Sequence, residues 1–342
     1  MKDVQFVAAD NSMCGQIRMM WPAQQLISAG NNEIIQTRKV YLGLNSSHFY
    51  VQRCAEKRLF DLTKDLPGKL VIDFDDMLFK LYGEELPSYN VCRKRIDLNS
   101  TTESLKYGLE FTEKVVVSTE FLKQAIIDNY NYDKVEVVPN MLPRCIYHSE
   151  RKPLLEHDIE KPRVVYAAGI THYDDKNPGD FSREVIQFLH DNIDKIELII
   201  IGKMPWFLSD ISSKIQVLPY VSVLQFPRLL KSLNSDFYLA PLRENVFNKC
   251  KSNLKYLEAC AAGTVCLGSD FDNSPYSMLD EMCKIEKTMT SKNISDMFWN
   301  MCKKENWNKV ITKQYEYMNS CGWLENQLWR YENIFKDNTV RV

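Results

Sequence analysis

The sequence predicts an α/β protein built from two doubly wound, Rossmann-like domains. The chain has 342 residues, which is about the length of two average domains. Short, uninterrupted apolar runs alternate with helical patterns along it, as they do in parallel sheets that helices cover on both faces. The alternation stops in a polar, irregular stretch after Pro139 and starts afresh at Arg163. These observations together favour two separate sheets over one large sheet.

The first series of runs predicts an N-terminal domain over residues 1–145. Its strands are expected at 4–9, 48–52, 69–74, 114–118 and 134–140, and its helices at 16–29, 101–112 and 119–129. Most of these strands are continuous apolar stretches, such as KLVIDF, which favours burial on both faces of a sheet.

The second series predicts a C-terminal domain over residues 146–315. Its strands are expected at 163–169, 196–202, 215–220, 236–242 and 264–269, and its helices at 180–192, 222–233 and 252–262. The chain from about 290 is helical in pattern and rich in tryptophan. We expect residues 316–342 to form a helical tail that packs back on the N-terminal domain.

Composition and charge narrow the class of protein. The chain is 45% hydrophobic and 26% charged, with a net charge of −2. This balance argues against a protein that holds nucleic acid mainly by bulk electrostatics, although not against a local basic groove. Its 10 cysteines include no CxxC pair and favour buried thiols over disulfides or a zinc site. No apolar run reaches the length of a membrane span and no signal peptide is evident, so we expect a cytoplasmic enzyme.

The segment KCKSNLKYLEACAAG, residues 249–263, carries the clearest chemical signal. The first N–H groups of a helix starting near Ser252 lack internal partners, and Lys249, Lys251 and Lys255 add positive charge. Such a place suits a phosphate or diphosphate. Glu258, on roughly the same helix face, could accept hydrogen bonds from the paired hydroxyls of a ribose. The alternative is a solvated lysine face with a serine cap and a surface Lys–Glu pair.

This segment resembles the donor site of the retaining glycosyltransferases with the GT-B architecture, the large family of glycogen and sucrose synthases. One branch shares the pattern formed by Asn248, Lys251, Ser252, Lys255, Glu258 and Gly263. Further similarities occur in order along residues 4–270, in CGQIRMMWP, VIDFDD, VVVSTEFLK, VEVVPN and YAAGITHYDDK. The resemblance implies two Rossmann-like domains facing a cleft, a nucleotide-sugar donor in the second domain and most of the acceptor in the first.

The resemblance also implies which residues bind the donor. Several of these residues also have a purely structural interpretation. The alternatives are a turn glycine at Gly15, an exposed helix residue at Arg18, an exposed lysine at Lys203, a core residue at Tyr220, and a polar loop at 244–245. The residues expected to bind the donor are Gly15, Arg18, Gly169, Lys203, Tyr220, Val221, Glu244, Asn245, Asn248, Ser252, Asn253, Leu254 and Glu258.

A second group of residues is expected to act in the reaction. Lys251 and Lys255 would stabilise the leaving diphosphate, since its charge grows as the glycosidic bond breaks. Asp75 and Asp76 follow a strand and would act on the acceptor hydroxyl, or alternatively cap a helix. His172 would line the cleft or be structural. We expect no required metal or other cofactor, a UDP-sugar as the favoured donor, and transfer with retention.

One position departs from the family pattern. Many members carry two glutamates eight positions apart, and Glu258 matches the second of them. Cys250 occupies the first position, as the branch usually lacks that glutamate. Glu244 and Asn245 are the candidates to contact the donor sugar in its place.

The acceptor is open at the level of sequence: lipid, polysaccharide, protein, small molecule and nucleic acid all remain. A hydroxymethylated base in phage DNA is one specific alternative, because T-even-like phages encode GT-B enzymes that glycosylate such bases. The basic segments 52–58 and 91–98, with Arg38 and Lys39, could line a DNA groove, or could be solvated faces. A non-catalytic nucleotide-binding protein and a sugar-nucleotide epimerase on the same fold are the rivals to a transferase.

Overall fold

The computed structural model describes residues 3–31, 33–41, 45–54, 57–79, 98–147, 152–167, 172–173 and 177–336, with backbone alone at 98–101. Within these ranges the chain forms two six-stranded sheets whose strands all run parallel. This arrangement confirms the predicted fold class. In the described part of the chain, no helix is both long and apolar enough to cross a membrane.

The first sheet has the strand order β2-β1-β3-β4-β5-β6. Its central strands are almost wholly buried, because helices cover both faces. The strands are β1 (Val4–Val7), β2 (Ile34–Thr37), β3 (His48–Gln52), β4 (Lys69–Phe74), β5 (Thr112–Val117) and β6 (Val135–Val137). The helices are α1 (Met13–Gly15), which runs through a π-turn (Gln16–Met20) into α2 (Trp21–Ser28), then α3 (Lys57–Lys64), α4 (Leu98–Leu109), α5 (Glu120–Tyr130) and α6 (Arg144–Tyr147).

The second sheet has the order β12-β11-β10-β7-β8-β9. The chain therefore winds outward in one direction from β7 and in the other from β10, which lies beside it. The strands are β7 (Arg163–Ala167), β8 (Glu197–Ile201), β9 (Ile215–Leu218), β10 (Phe237–Ala240), β11 (Val265–Asp270) and β12 (Lys284–Glu286).

The helices of the second half surround this sheet and continue into the C-terminal segment. The α-helices are α7 (Arg183–Asn192), α8 (Phe226–Ser232), α9 (Val246–Cys250), α10 (Leu254–Ala262), α11 (Ser291–Met301), α12 (Lys304–Tyr317) and α13 (Leu328–Ile334). The other helical segments are the 3-10 helices Trp206–Lys214, Glu281–Cys283 and Leu324–Asn326 and a π-turn at Met318–Gly322.

Among the described residues, apolar side chains of the second half pack against the core of the first domain. Helix α9 packs against the first sheet's domain: Phe247 and Cys250 belong to its apolar core, and the Cys250 Sγ lies 3.7 Å from the Met77 Sδ. The C-terminal segment also packs on the first domain, and the ring of Phe335 lies 5.7 Å from those of Phe6 and Tyr50. Helix α9 and the C-terminal segment thus both contribute side chains to the first domain.

Several predicted elements differ from the structure. The loop expected at 243–251 contains α9, which begins after the Asn245 cap, and the following helix starts at Leu254, not at Ser252. The edge strands β2 and β12 and helix α3 were not predicted. The helix expected at 222–233 begins only at Phe226, where Pro227 sits in its first turn.

Candidate functional site

The carboxyl ends of β7 and β10 mark the point where the second sheet reverses its winding. Ligands of doubly wound sheets bind in the crevice outside such a point. Helix α10 follows β10 in the same half of the sheet and brings Lys255 and Glu258 beneath this crevice. The end of helix α9 and residues 251–253 form its rim.

Lys255 is held at the crevice by the backbone of β7. Its Nζ donates a hydrogen bond to the Ala167 carbonyl and lies 5.6 and 5.9 Å from the ring centres of Tyr166 and Tyr238. Burial lowers the pKa of Lys255 to about 8, and the carboxylate of Glu258 opposes this shift. The alternative of a solvated lysine face is therefore wrong for Lys255.

Glu258 lies one turn further along α10 and is 5% exposed. Its Oε2 accepts a hydrogen bond of 3.1 Å from the hydroxyl of Tyr238. Burial raises its pKa to about 7, against the effects of Lys255 and Tyr238. A surface Lys–Glu pair is therefore excluded, while contact with a ribose stays a prediction.

His172 belongs to a buried polar network next to Lys255. Its Nδ1 lies 2.6 Å from Asp180 Oδ2, and Asn248 Nδ2 donates to Asp180 Oδ1 at 2.7 Å and to the Arg243 carbonyl at 2.8 Å. Burial and the charge of Lys255 lower the pKa of His172 to about 4, so the ring is neutral. A neutral ring that donates from Nδ1 to a carboxylate presents Nε2 as an acceptor.

The geometry of this network depends on Gly179. Its φ is +63°, and a Cβ at this position would lie 1.9 Å from the His172 carbonyl oxygen. That oxygen accepts a hydrogen bond from the Asp180 backbone N–H. The buried Oδ1 atom of Asn248 has no partner within the described ranges.

The first domain contributes a charged cluster after β1, β3 and β4. Arg53 donates to both oxygens of Asp75, at 3.0 and 3.2 Å, and lies 3.4 Å from Asp10 and 3.8 Å from Asp76. Burial alone would raise the pKa of Asp75, but Arg53 brings it below its ordinary value. Burial raises the pKa of Asp76, and the charge of Lys251 opposes this. The charge of Lys251, in the second domain, thus acts on a carboxylate of the first domain.

The predicted helix-capping alternative for Asp75 and Asp76 is wrong, because no described helix starts there. Their carboxylates and the Cys14 thiol place ligand atoms within 4.8 Å of one another, which is close enough for a metal ion. Arg53 already supplies a positive charge to the two carboxylates. Metal independence stays a proposal.

Arg18 corrects a prediction. The side chain is wholly buried, and its guanidinium donates to Asp73, to the Val138 carbonyl and to Asn140 Oδ1. It is neither an exposed helix residue nor able to touch a donor in this structure. Gly15 is also buried, and a Cβ there would lie 2.0 Å from the Asp10 carbonyl oxygen. The close approach that this glycine permits is to the protein's own backbone.

Residues 251–253 form part of the rim, and their contact with a donor stays a prediction. Lys251 Nζ lies 4.7 Å from the Phe247 ring centre. Ser252 does not cap the helix, and its Oγ accepts from Asn140 Nδ2 at 2.8 Å. Asn253 occupies the cap position and donates to the Tyr317 hydroxyl at 3.0 Å, and Leu254 is the first helical residue.

The replacements considered for the missing family glutamate have other partners. Glu244 accepts from Lys249 at 2.9 Å and from Lys287 at 2.8 Å, and these two bonds lower its pKa to about 2. The Asn245 side chain caps α9 by accepting from the Asn248 N–H at 2.7 Å. Cys250 points into the first domain's core, so a glutamate there would bury an unpaired charge.

Lys203, Tyr220 and Val221, which were predicted to bind the donor, lie beyond the ends of β8 and β9. Tyr220 is 53% exposed, so its interpretation as a core residue is wrong. Its ring covers Gly202, whose φ is +122° and whose Cβ would lie 2.7 Å from it. Lys203 is exposed and Val221 half-buried. Gly169 lies outside the described residues.

Three residues of the candidate site were not predicted to belong to it: Arg53, Asp180 and Tyr238. Asp180 follows His172 by eight residues, and neither residue lies in a helix or strand, so only the folded loop brings them together. Arg53 has a φ of +53°, and nothing in its sequence neighbourhood signals that conformation. Tyr238 lies in an apolar run of the sequence, and this pattern predicts only a buried strand residue there.

Comparison with solved structures supports this architecture. HepE of Anabaena, solved in complex with UDP, has a TM-score of 0.63 at 11% identity, and the match covers 98% of this chain and 99% of that one. WaaG, a glycosyltransferase involved in lipopolysaccharide biosynthesis, has a TM-score of 0.57 at 10% identity, covering 98% and 100%. The chain has the GT-B glycosyltransferase fold.

A third similar structure is larger than this chain. TarM of S. aureus has a TM-score of 0.59 at 12% identity, and the match covers 85% of this chain but 55% of TarM. No protein-family model matches the sequence, and a search of curated proteins found no match either. At these identities the likeness concerns the fold.

Proposed function

We propose that the protein is a glycosyltransferase that moves a sugar from a nucleoside-diphosphate sugar to an acceptor hydroxyl. One observation carries this proposal: Lys255 and Glu258 lie half-buried and buried at the reversal point of the second sheet, with neutral His172 beside them. A buried lysine suits a diphosphate, and a carboxylate one turn away suits ribose hydroxyls. UDP-sugars are favoured as donors because HepE and TarM were solved with UDP.

The charged groups at the rim fit a reaction in which diphosphate leaves. Negative charge accumulates on the diphosphate as the glycosidic bond breaks, and fixed positive groups stabilise that charge without reorganising. Lys251, Lys255 and the free N–H groups at the start of α10 are such groups. They supply charge that a metal ion supplies elsewhere, so we propose a metal-independent reaction.

We expect two side chains to bind the reacting molecules, His172 the donor sugar and Asp76 the acceptor. His172 Nε2, as an acceptor, would hold a donor-sugar hydroxyl, because Asp180 fixes the ring through Nδ1. Asp76 lies on the opposite domain, near Lys251, and would receive the acceptor hydroxyl. We propose retention, with the departing phosphate oxygen taking the acceptor's proton on the same face.

Thermal unfolding with UDP, GDP, ADP and TDP, in the presence of a chelator, tests the donor site. We expect UDP at about 100 times its Kd to add roughly 2.7 kcal/mol to the free energy of unfolding. Stabilisation by none of the four nucleotides would overturn the proposal. The K255M variant should lose the effect of UDP and the K249M variant should keep it, because Lys249 is paired with Glu244.

Mass spectrometry with UDP-sugars and a panel of acceptors then separates the remaining possibilities. Transfer to an acceptor identifies a transferase, whereas release of an epimer without acceptor identifies an epimerase. Hydroxymethylated DNA belongs in the panel because Arg38 and Lys39 are exposed after β2. Of the predicted basic segment 91–98, residues 91–97 lie outside the described residues.

A further inference from the structure

A line of hydrogen bonds runs from the core of the first domain to the rim of the donor site. Asp73 is wholly buried and accepts from Arg18 Nε at 2.9 Å and Nη2 at 2.6 Å, and from the Tyr50 hydroxyl at 2.6 Å. Arg18 Nη1 donates to Asn140 Oδ1 at 3.0 Å. Asn140 Nδ2 donates to Ser252 Oγ at 2.8 Å.

The chemistry of arginine fixes the direction of every bond in this line. A guanidinium has donors only, so the atom of Asn140 that faces Arg18 must be its carbonyl oxygen. The other end of the amide is then the NH₂ group, and Ser252 must be the acceptor. A hydroxyl that accepts one hydrogen bond still has its own proton to donate.

We infer that Asn140 is a positioning residue of the first domain that makes Ser252 a hydrogen-bond donor to the diphosphate bound at the start of α10. This inference rests on the proposed function. Ser252 lies between Lys251 and the helix start and is half-buried, and accepting from Asn140 leaves its own proton to donate to a phosphate at the rim. Binding of a donor in the second domain therefore depends on a side chain of the first.

Isothermal titration of UDP tests the inference with three variants. S252A removes the donor and should raise the Kd for UDP about tenfold or more, as expected for a bond to a charged group. N140D keeps the shape of the side chain but has only acceptor oxygens, so the Ser252 hydroxyl would donate to the carboxylate and not to the ligand. N140D should therefore also raise the Kd.

The double variant N140D/S252A distinguishes a relay from two independent effects. If Asn140 acts through Ser252, N140D changes the Kd little once S252A is present. N319A is the control, because Asn319 Oδ1 accepts from Arg144 Nη2 at 3.3 Å between the two halves of the chain and bonds no residue of the rim. N319A should leave the Kd unchanged.

An unchanged Kd in S252A, or effects of the two substitutions that simply multiply, would overturn the inference while leaving the donor site intact. Absence of UDP binding by the unaltered protein would overturn the proposed UDP site and the inference with it. Thermal unfolding of each variant checks that it folds. If N140D does not, N140A takes its place in the same cycle, because it removes both bonds without adding charge.

Discussion

Lys255 combines burial with a bond to the backbone of β7, and this combination predicts a dependence on pH. Burial lowers its pKa to about 8, and a diphosphate binds the protonated form better. We expect the Kd for UDP to rise from about pH 8 to about pH 9.5, by up to about tenfold per pH unit. Titration calorimetry across this range measures it. The K255M variant should bind weakly with little change over the range, and an unchanged slope in K255M would contradict the assignment.

The lysines at the rim should differ in their effects on catalysis. If Lys251 and Lys255 stabilise the leaving diphosphate, K251M and K255M should each lower kcat by about 10²–10³ and change the KM for donor less. Methionine keeps the apolar stem of the side chain and removes the charge. K249M is the control, since Lys249 bonds Glu244. Equal, small losses in all three variants would leave the helix N–H groups as the phosphate ligands.

His172 predicts how stability depends on pH. Its pKa falls from 6.5 to about 4 on folding, so the unfolded chain binds more protons between these values. Stability due to the neutral ring is therefore lost as pH falls through this window, by about 3 kcal/mol in total. Denaturant unfolding should show that the unaltered protein loses this amount relative to H172Q between about pH 6.5 and about pH 4. Parallel pH profiles of the two proteins would show that His172 is not buried as a neutral ring.

At the scale of an element, the loop from β7 to α7 depends on the backbone of Gly179. Alanine in the left-handed region costs about 1–2 kcal/mol, and in G179A its Cβ would also overlap the His172 carbonyl oxygen. We expect G179A to lose more stability than this and to weaken UDP binding through His172. G30A is a matched control, since Gly30 has a φ of +94° and a Cβ there would meet nothing within 4 Å. Denaturant unfolding measures the loss of stability in both variants. Equal losses would show that the overlap with the His172 carbonyl is relieved at little cost in free energy.

The elements show how much of this fold the sequence could predict. Buried central strands such as β7 and β8 are apolar runs after their first residue and were found. The middle residues of the edge strand β2 are half-buried, and β12 has only three residues, so neither strand has a pattern long enough to recognise. Helix α9 has five residues and owes its place to the Asn245 cap and to packing against the first domain.

The residues of the candidate site also divide into those that a local sequence pattern predicts and those that it does not. Lys255 and Glu258 are three positions apart, and helical spacing suffices to place them on one side of α10, whereas Lys251 lies before the helix starts. Arg53 and Asp75 are separated by 22 positions, and Arg18 and Asp73 by 55. Such pairs depend on which strand ends meet, and the chain alone does not encode that order in any local pattern. Arg18 was misassigned for this reason.

On the scale of the whole molecule, the two sheets are joined through contacts of unlike character. The C-terminal segment adds a parallel backbone bridge between Leu142 and Trp323 and aromatic rings to the first domain's core. Helix α9 adds a small apolar contact beside the charged rim. The second contact adjoins the rim, because α9 ends at Cys250, so separation of the domains at the crevice would expose α9.

Cys250 is buried in the core of the first domain. The rate at which its thiol reacts therefore reports how often the two domains separate at the crevice. Its thiol is completely covered, and burial raises its pKa to about 12, so alkylating reagents cannot reach a thiolate while the domains are in contact. We expect iodoacetamide to modify Cys250 at the frequency with which the crevice opens. UDP should slow the modification and T119V should accelerate it. Peptide mass spectrometry over time measures the rate, with exposed Cys145 as the internal reference. Modification of Cys250 as fast as that of Cys145 would mean that α9 is not seated in solution.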